Sequence, residues 1–429
     1  MKKPKIYWFR SDLRLHDQPV INQLFRDPEP FIAFYCLDEA ILKINQWGFQ
    51  NTSSIRLQFL LDHLRIVEAQ LAALGVAMVF RRGNAVQTLL AWMKEHQYTE
   101  LYAERLVGSR EQAAEDLLKS EAEKSQIMVH FHRKHTLISL DSLPFDLPHL
   151  PDIFTDFRKL LEKHCVPEPV TPMSYPNWPR LAILSSIPSL ADLGYTISPA
   201  DARNPFVFRA GEAAALDRLQ WYLWENQHIK NYKLTRNGML GAQYSSRFSP
   251  WLAVGSLSPR LIYAEIKRFE AKHGANESTY WLYLELLWRD YFQFVALKAG
   301  SALFKAGGIK NSSKRNGFDP ERFKHWCEGR TGQPFIDANM RELLATGWMS
   351  NRGRQNVASY LVHDLNQDWR AGAAWFEAQL IDYDPASNYG NWNYIAGIGN
   401  DPRENRRFNP EKQAKQYDPD GSYQNLWLS

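Results

Sequence analysis

The sequence predicts an α/β domain with a parallel sheet over residues 1–135, a connector over residues 136–205 and an all-helical domain over residues 206–429. Three observations lead to this expectation. Short apolar runs alternate with amphipathic runs in the first third of the chain, prolines become frequent after it, and apolar positions at helical spacing dominate the second half. The 429 residues are enough for two or three domains of ordinary size.

Strands and helices are predicted to alternate in the first domain. The apolar runs typical of buried strands are KIYWF, FIAFYCL, VAMVFRR, ELYAERL and IMVHFHR. Amphipathic runs between them predict helices, and the run that begins at Ser54 ends on Gly75, a residue suited to a helix C-terminus. This alternation implies a parallel sheet covered by helices on both faces. No glycine-rich dinucleotide fingerprint follows the first strand, so nothing here indicates NAD binding.

The second half is predicted to be helical from about Gly211 onward. Between about Leu143 and Pro205 prolines are frequent and periodicity is poor, so a long connecting segment wrapped on the surface is expected there. Beyond it, helical spacing recurs in AAALDRLQWYLWENQ, PRLIYAEIKRFEAKHG, STYWLYLELLWRDYFQFVALKAG, IDANMRELLATG, RQNVASYLVHDL and WRAGAAWFEAQLID.

Composition limits the class of protein. The formal net charge of +4 and the pI of about 8.7 are compatible with a nucleic-acid partner but do not require one. Cys36, Cys165 and Cys327 are odd in number and match no zinc spacing, so we predict no metal site and a reducing compartment. The apolar run near the start is too short for a signal peptide, and no window approaches a membrane span. These features predict a soluble cytoplasmic protein.

Four segments of the helical half predict a ligand pocket, and the first is SSRFSPWLAVGSLSPR at residues 245–260. Its hydroxyls precede a helical run, where free N–H groups and the helix dipole attract an anion such as a diphosphate. A capped helix without a ligand is the alternative interpretation.

The second segment, WLYLELLWRDYF, places Trp281, Glu285 and Trp288 on one face of a helix. Two indoles and one acid suit a planar, partly polar ligand, whereas an amphipathic core helix with an incidental glutamate is the alternative. Arg289 lies four residues after Glu285, so it could pair with that carboxylate or reach sideways.

The third segment, TGWMSNRGRQNVASYL, gathers polar residues at the start of a helix: Asn351, Arg352, Arg354 and Gln355. Two arginines at a positively polarised helix end repel each other unless an aspartate or a phosphate is near, although two solvated loop arginines are the alternative.

The fourth segment, DYDPASNYGNWNY, combines acids, amides and aromatic rings. Asp382 and Asp384 could accept hydrogen bonds from an arginine or from ring N–H groups. Asn388 could offer its amide to a ring nitrogen, and Trp392 follows four residues later. Together the four segments supply a phosphate cradle, an arginine–carboxylate pair, ring-edge acceptors and aromatic walls, which suits a flavin dinucleotide.

Long strings of this sequence resemble one known family over nearly the whole chain. WFRSDLRLHDQPV is similar to the N-terminal signature of the photolyase–cryptochrome family. TGWMSNRGRQNVASYL, DYDPASNYGNWNYIAGIGNDPR and FNPEKQAKQYDPDG resemble its DASH-type cryptochromes in particular. The resemblance implies the photolyase fold, in which a Rossmann-like antenna domain precedes a helical domain that holds FAD in a U-shaped pose.

The resemblance also implies which residues bind FAD. Arg354 and Asp382 match a salt bridge beside the isoalloxazine ring, Asp384 matches an acceptor near the flavin edge, and Asn388 matches the residue that faces N5. The other positions matched to the flavin pocket are Tyr232, Ser245, Ser246, Arg247, Phe248, Ser249, Trp281 and Arg289.

The reaction implied is light-driven repair of cyclobutane pyrimidine dimers in DNA. Gln355 stands where duplex-repairing photolyases have Met, and Tyr394 where they have Trp. Both changes make the pocket more polar and weaken its hold on a flipped dimer, so single-stranded DNA is the expected substrate. The positions matched to the dimer or to DNA phosphates are Glu285, Trp288, Asn351, Arg352, Gln355, Tyr394, Arg403 and Arg406.

Photoreduction in this family usually runs through three tryptophans. Trp392 matches the proximal one and Trp369 the middle one, but the outer position falls in SKRNGFD, where Asn316 or a neighbour replaces it. Trp375 is a candidate for another exit. With Asn388 and Glu285, these three tryptophans are the predicted catalytic residues.

The antenna chromophore is left open. A glutamate that holds a folate in the family should lie in ERLVGSREQ, and Ser109, Arg110 or Glu111 can occupy that position. The second chromophore is therefore 5,10-methenyltetrahydrofolate, a flavin or absent.

Three functions are carried forward. The first is a DASH-type photolyase for single-stranded DNA, expected to be a monomer. The second is a blue-light receptor with little repair activity that acts through a partner, although the chain ends at YQNLWLS without the tail that signalling cryptochromes use. The third is a flavoprotein of unrelated activity.

Overall fold

In the computed structural model, a parallel sheet organises the first third of the chain. The structure describes residues 3–183, 186–196, 199–313, 316–400 and 407–429. Within them the sheet consists of β1 (Ile6–Trp8), β2 (Ile32–Asp38), β3 (Ala77–Gly83), β4 (Glu100–Glu104) and β5 (Met128–His132). Their spatial order is β3-β2-β1-β4-β5, and each neighbouring pair is parallel. The predicted sheet is therefore confirmed.

Helices cover both faces of this sheet, as the alternating pattern predicts. Tyr7 packs against one layer of helices, whereas Ile6 and Trp8 pack with Leu89 on the other side, because successive residues of a strand point to opposite faces. The helices are α1 (Pro19–Phe25), α2 (Ser54–Ala73), α3 (Ala85–Glu95) and α4 (Ser109–Lys124). Gly75, just beyond α2, has a φ of 78°, which suits glycine after a helix end.

The connector contains a helix that the sequence interpretation missed, α5 (Phe154–His164). Phe157 and Leu161 are buried and belong to the core of the helical part, where the Phe157 ring lies 5.0 Å from that of Tyr291. The prolines on either side obscure its short helical period. The predicted domain boundaries at residues 135 and 205 stay predictions.

The second part of the chain is built from helices around a shared core. The helices are α6 (Glu212–Gln220), α7 (Tyr232–Thr235), α8 (Ser249–Val254), α9 (Pro259–His273), α10 (Glu277–Ala299), α11 (Pro320–Cys327), α12 (Pro334–Thr346), α13 (Asn351–Ser359), α14 (Trp369–Gln379), α15 (Pro385–Ile395), α16 (Pro410–Tyr417) and α17 (Ser422–Leu428). π-helical turns extend α6 over Trp221–Glu225 and α13 over Tyr360–Asp364.

The long helix α10 is the axis of the helical part. It begins with a capping box, in which the Asn276 side chain accepts from the Thr279 backbone N–H and the Thr279 hydroxyl accepts from the Asn276 backbone N–H. It packs against α5, α7, α9 and α15, so its apolar residues are buried on more than one side. Neither α10 nor any other helix in the described ranges has the length and apolar character needed to cross a membrane.

Buried polar contacts join the two parts of the chain. Nε of Arg260 donates to Asp17 Oδ2 at 2.8 Å, and Nη1 of the same residue donates to Glu168 at 2.9 Å. His63 and Ser256 form a further buried hydrogen bond of 3.1 Å. Because an unpaired buried charge is costly, these pairs fix how α9 sits against the α/β part.

Candidate functional site

Arg354 and Asp382 form the charged centre of the candidate pocket. Nη1 and Nη2 of Arg354 donate to the two carboxylate oxygens of Asp382 at 3.0 and 2.8 Å. Ser249 Oγ also donates to Asp382, at 2.6 Å, and Asp382 is only 8% exposed. This two-point geometry is the strongest form of arginine–carboxylate pairing. The ion pair expected from the sequence is present, and it balances the positive charge at the start of α13.

Asp384 and Asn388 are placed by the first turn of α15. Asp384 is the N-cap, where Oδ1 accepts from the Ser387 backbone at 2.7 Å, and Pro385 follows at the first helical position. Asn388 lies one turn later, and its Nδ2 donates to the Ala373 carbonyl of α14 at 3.0 Å. Two polar side chains are thus held at one end of a helix beside the Arg354–Asp382 pair.

Two buried arginines lie at the segment from Tyr244 to Ser249: Arg247 belongs to it, and Arg218 contacts its backbone. Arg247 is 4% exposed, adopts a φ of 55° and lies 4.2 Å from the Trp348 ring centroid. Its Nε has no hydrogen-bond partner among the residues that the structure describes. Arg218, which sequence reasoning missed, donates to the carbonyls of Ser245 and Ser246 at 3.0 and 2.9 Å.

The charge of these two arginines is not balanced within the described residues. There, neither Arg218 nor Arg247 has a carboxylate within the 4.0 Å of an ion pair. Burial, with a contribution from Arg247, lowers the pKa of Arg218 to about 10. A buried, uncompensated pair of cations fits an anionic group such as a diphosphate.

The hydroxyl capping expected in the first segment is present at α9 but not at α8. The N-cap residue of α8 is Phe248, which has no polar side chain, and the hydroxyl of the next residue, Ser249, donates to Asp382. Ser258 is the residue that caps a helix here, at the start of α9. The attraction for an anion therefore depends on the arginine side chains rather than on the short helix α8.

The face of α10 that was matched to the DNA lesion is lined by an ion pair and two indoles. Arg236, a second residue missed from sequence, contacts Glu285 through Nη1, and its guanidinium lies 5.2 Å from the Trp281 ring centroid. Burial raises the pKa of Glu285 although Arg236 opposes the shift. No local signal indicated Arg236, because its partner Glu285 lies 49 positions further along the chain.

Trp288 and Arg289 contact residues outside the group formed by Arg236, Glu285 and Trp281. The Trp288 ring stacks on Phe154 of α5 with centroids 3.7 Å apart, so the connector helix supports this indole. Arg289 reaches sideways, because its Nη1 donates to the His135 carbonyl at 2.5 Å. Tyr232 is 7% exposed beneath this face, and the burial of its phenol raises its pKa.

The start of α13 presents the remaining predicted DNA contacts. Nη1 of Arg352 donates to Gln355 Oε1 at 2.9 Å and Nη2 donates to Asn237 Oδ1 at 3.1 Å, while Asn351 is exposed. Tyr394 lies on α15 and is half-buried. Arg403 and Arg406 lie outside the described residues.

A cluster of buried aromatic rings surrounds Trp392. Trp392 is 2% exposed and lies 5.2 Å from Phe376 and 6.4 Å from Trp326, a tryptophan that the sequence interpretation did not assign to the route. The indole N–H of Trp369 donates to the Ala306 carbonyl at 3.2 Å. These contacts place Trp392 inside the core of the helical part.

Asn316, one candidate for the position of the outer tryptophan, forms hydrogen bonds with two backbone carbonyls. Asn316 donates to the carbonyls of Val362 and Gln367 at 2.7 and 3.1 Å, and it lines a cavity of about 30 Å³ together with Trp369. Trp375 lies edge-on to Phe49 with ring centroids 5.0 Å apart. Asn316 therefore lies beside Trp369, the residue matched to the middle tryptophan.

The three antenna candidates begin α4, at the junction with α14. Nη1 of Arg110 donates to Glu377 Oε1 at 3.2 Å. Burial raises the pKa of Glu111, and Ser109 is the first residue of the helix. Which of them would hold a second chromophore stays a prediction.

Both parts of the chain match models of known protein families. Residues 5–176 match the family model for DNA photolyase, and residues 281–429 match that for the FAD binding domain of DNA photolyase. The fold and the helical pocket therefore define a photolyase-type protein with a FAD-binding domain.

Individual relatives narrow the class further. The chain is 44% identical to a cryptochrome DASH from Gloeobacter violaceus over 99% of its own length and 85% of that protein. A solved cryptochrome structure from Synechocystis superimposes with a TM-score of 0.94 at 43% identity, covering all of this chain and 89% of the other. A class III photolyase from Agrobacterium tumefaciens gives a TM-score of 0.83 at 27% identity, with coverage of 100% and 87%. The chain belongs to the cryptochrome DASH family, as its sequence strings predicted.

Proposed function

We propose that this protein holds FAD in the pocket described above and uses blue light to repair cyclobutane pyrimidine dimers, mainly in single-stranded DNA. The observation that carries the proposal is one continuous polar site. It runs from the buried arginines at Tyr244–Ser249, through the Ser249–Asp382 hydrogen bond, to Asp384 and Asn388 on α15.

The residues of this site divide the binding of FAD among them. Arg218 and Arg247 would face the diphosphate, because their buried charge has no carboxylate partner in the described part of the chain. Asp384 would accept from an N–H at the edge of the flavin ring, and the Arg354–Asp382 pair would lie beside that ring. When bound and reduced, FAD supplies the photoexcited electron donor for splitting a dimer.

The α10 face and the start of α13 would receive the flipped lesion. Trp288 is held by Phe154 on one side and offers the apolar surface on which a base can stack. Glu285 is kept in place by Arg236, so its carboxyl group is oriented before DNA arrives. Arg352 and Asn351, at the surface of the site, would contact the DNA strand.

Two polar side chains in the wall of the lesion pocket account for the proposed preference for single-stranded DNA. Gln355 and Tyr394 offer less apolar contact than methionine and tryptophan, at roughly 1 kcal/mol or more each. Extruding a base from a duplex costs a few kcal/mol, and less from an already unpaired strand. The reduced contact energy is enough to oppose repair in duplex DNA but not in single strands.

A blue-light receptor with little repair activity is the second candidate. Asn316 beside Trp369 fits both proposals. An amide in place of the outer tryptophan would limit electron transfer along the three-tryptophan route in either case. A cytoplasmic location and a monomeric state remain predictions under both.

The proposal is tested by a repair assay on purified protein. A single-stranded oligonucleotide with one pyrimidine dimer is incubated with FAD-loaded, chemically reduced protein in blue light or in darkness. We expect restored thymines only in the light. Bound FAD without light-dependent repair would favour the receptor, and an inability to bind FAD would contradict both candidates.

A further inference from the structure

A buried chain of hydrogen bonds runs from Asp384 into the α/β part. Gln293 on α10 is 2% exposed, and its Nε2 donates to Asp384 Oδ2 at 2.9 Å. Its Oε1 lies 2.9 Å from His135 Nε2, and His135 Nδ1 lies 2.9 Å from Glu104 Oε1. The residues at the ends of the central link, His135 and Gln293, are 158 positions apart in sequence.

The chemistry of the partners fixes the direction of every bond in this chain. An ionised carboxylate only accepts, so the amide of Gln293 presents its NH₂ group to Asp384 and its oxygen to His135. His135 then donates from Nε2 to that oxygen and from Nδ1 to Glu104.

The surroundings of His135 support this arrangement. Burial alone would raise the pKa of Glu104, but hydrogen bonds from His132 and His135 hold it well below its usual range. The charged groups next to the imidazole are Glu104, Arg289, which donates to the His135 carbonyl, and Asp290, which accepts from the backbone at Leu137 and Ile138. The acids compensate the cations around the ring.

We propose that Gln293 is a positioning residue that holds the Asp384 carboxylate in the orientation needed to accept from the flavin ring. Ser387 fixes one oxygen of Asp384 and Gln293 fixes the other, so the plane of the carboxylate is set while each oxygen keeps a free lone pair. His135 and Glu104 fix Gln293 in turn. The inference rests on the proposed function in one respect, that FAD occupies the pocket at Asp384.

The test is a double-mutant cycle on FAD affinity, with apoprotein titrated by FAD. Gln293→Leu removes a hydrogen bond to a charged acceptor, so we expect FAD to bind about 10- to 100-fold more weakly. In an Asp384→Ala background the same change should have little further effect, because the acceptor of the Gln293 hydrogen bond is already gone. Ser256→Ala is the matched control, since it removes another buried hydrogen bond between the two parts of the chain and should leave FAD affinity unchanged.

Each outcome decides between the alternatives. A role limited to holding the two parts together predicts equal losses in both backgrounds, and additivity of that kind overturns the proposal, as does an unchanged affinity in Gln293→Leu. If Gln293→Leu does not fold, His135→Leu breaks the chain one bond further out. A smaller loss of FAD affinity that vanishes with Asp384→Ala supports the proposal, whereas an additive loss overturns it. A wild-type protein that does not bind FAD contradicts the proposed function and this inference together.

Discussion

Asp382 shows how much one side chain of the pocket depends on its neighbours. It is buried, and it accepts hydrogen bonds from Nη1 and Nη2 of Arg354 and from the hydroxyl of Ser249. Nearly every polar contact of this carboxylate therefore comes from residues far away in sequence. The consequence is that single substitutions around it should affect the ligand before they affect the fold.

Arg354→Ala is expected to lose flavin. It leaves the Asp382 carboxylate buried without its cation, at a cost on the order of 3–5 kcal/mol, part of which appears as weaker FAD binding. The measurement is the ratio of flavin to protein after dialysis. Arg341→Ala is a suitable control, because Arg341 donates to the carbonyls of Gly329 and Leu428 away from the pocket. Equal flavin content in wild type and Arg354→Ala would place Arg354 outside the binding site.

Trp392→Phe is expected to abolish or greatly slow the light-driven reduction of bound flavin. Within the described part of the chain the indole N–H of Trp392 has no hydrogen-bond partner, so the smaller ring removes the electron donor without breaking a polar contact there. Oxidised protein is illuminated with a thiol and its flavin bands are followed. Trp224→Phe, at the end of α6, is the control. If the flavin in Trp392→Phe is reduced as fast as in wild type, electrons reach it by another route. The reduction rate of Trp375→Phe would then be measured.

At the scale of elements, α12 and α17 are joined by a buried acid. Tyr423 of α17 donates its hydroxyl to Glu342 Oε2 of α12 at 2.7 Å, and burial raises the pKa of Glu342 to about 7. A raised carboxyl pKa means that the folded protein holds a proton that the unfolded chain releases at lower pH. Stability from this site is therefore greatest at acidic pH and falls as pH rises from about 4.5 to about 7.

Glu342→Gln is expected to flatten this pH dependence. Glutamine keeps the shape of the protonated side chain and cannot ionise, so its Tm should exceed that of wild type at pH 8 and approach it at pH 5. Thermal melts across this range give the answer, with the exposed Glu411→Gln as control. Parallel Tm profiles for wild type and Glu342→Gln would show that folding does not raise the pKa of Glu342, which would contradict the expected shift.

At the scale of the whole molecule, the sequence predicts the two-part architecture because each part has a clear period. β1 is buried at all three positions and lies centrally in the sheet, so its apolar run is unmistakable. α5 has only eleven residues among prolines, and its period is lost in that background. Local patterns thus predict an element well where its period is distinct from the surrounding sequence, and poorly where prolines interrupt it.

The pocket could be predicted in part. Motif strings indicated Arg354 and Asp382, but nothing local indicated Arg218, Arg236 or Gln293. Their partners lie between 24 and 158 positions away, and only the folded chain brings them together. The identity of single residues in a motif is therefore accessible from sequence, whereas the residues that orient them require the structure.

Repair of single strands rather than duplex DNA is the central claim, and a bubble substrate tests it most directly. One dimer is placed in a single strand, in a duplex with mismatches around the lesion, and in a perfect duplex, and repair under blue light is compared. Because the opening cost is already met in the bubble, we expect the single strand and the bubble to be repaired at similar rates and the perfect duplex to be repaired poorly. Gln355→Met combined with Tyr394→Trp should shift activity toward the duplex. Equal repair of bubble and perfect duplex by the wild-type protein would contradict the claim.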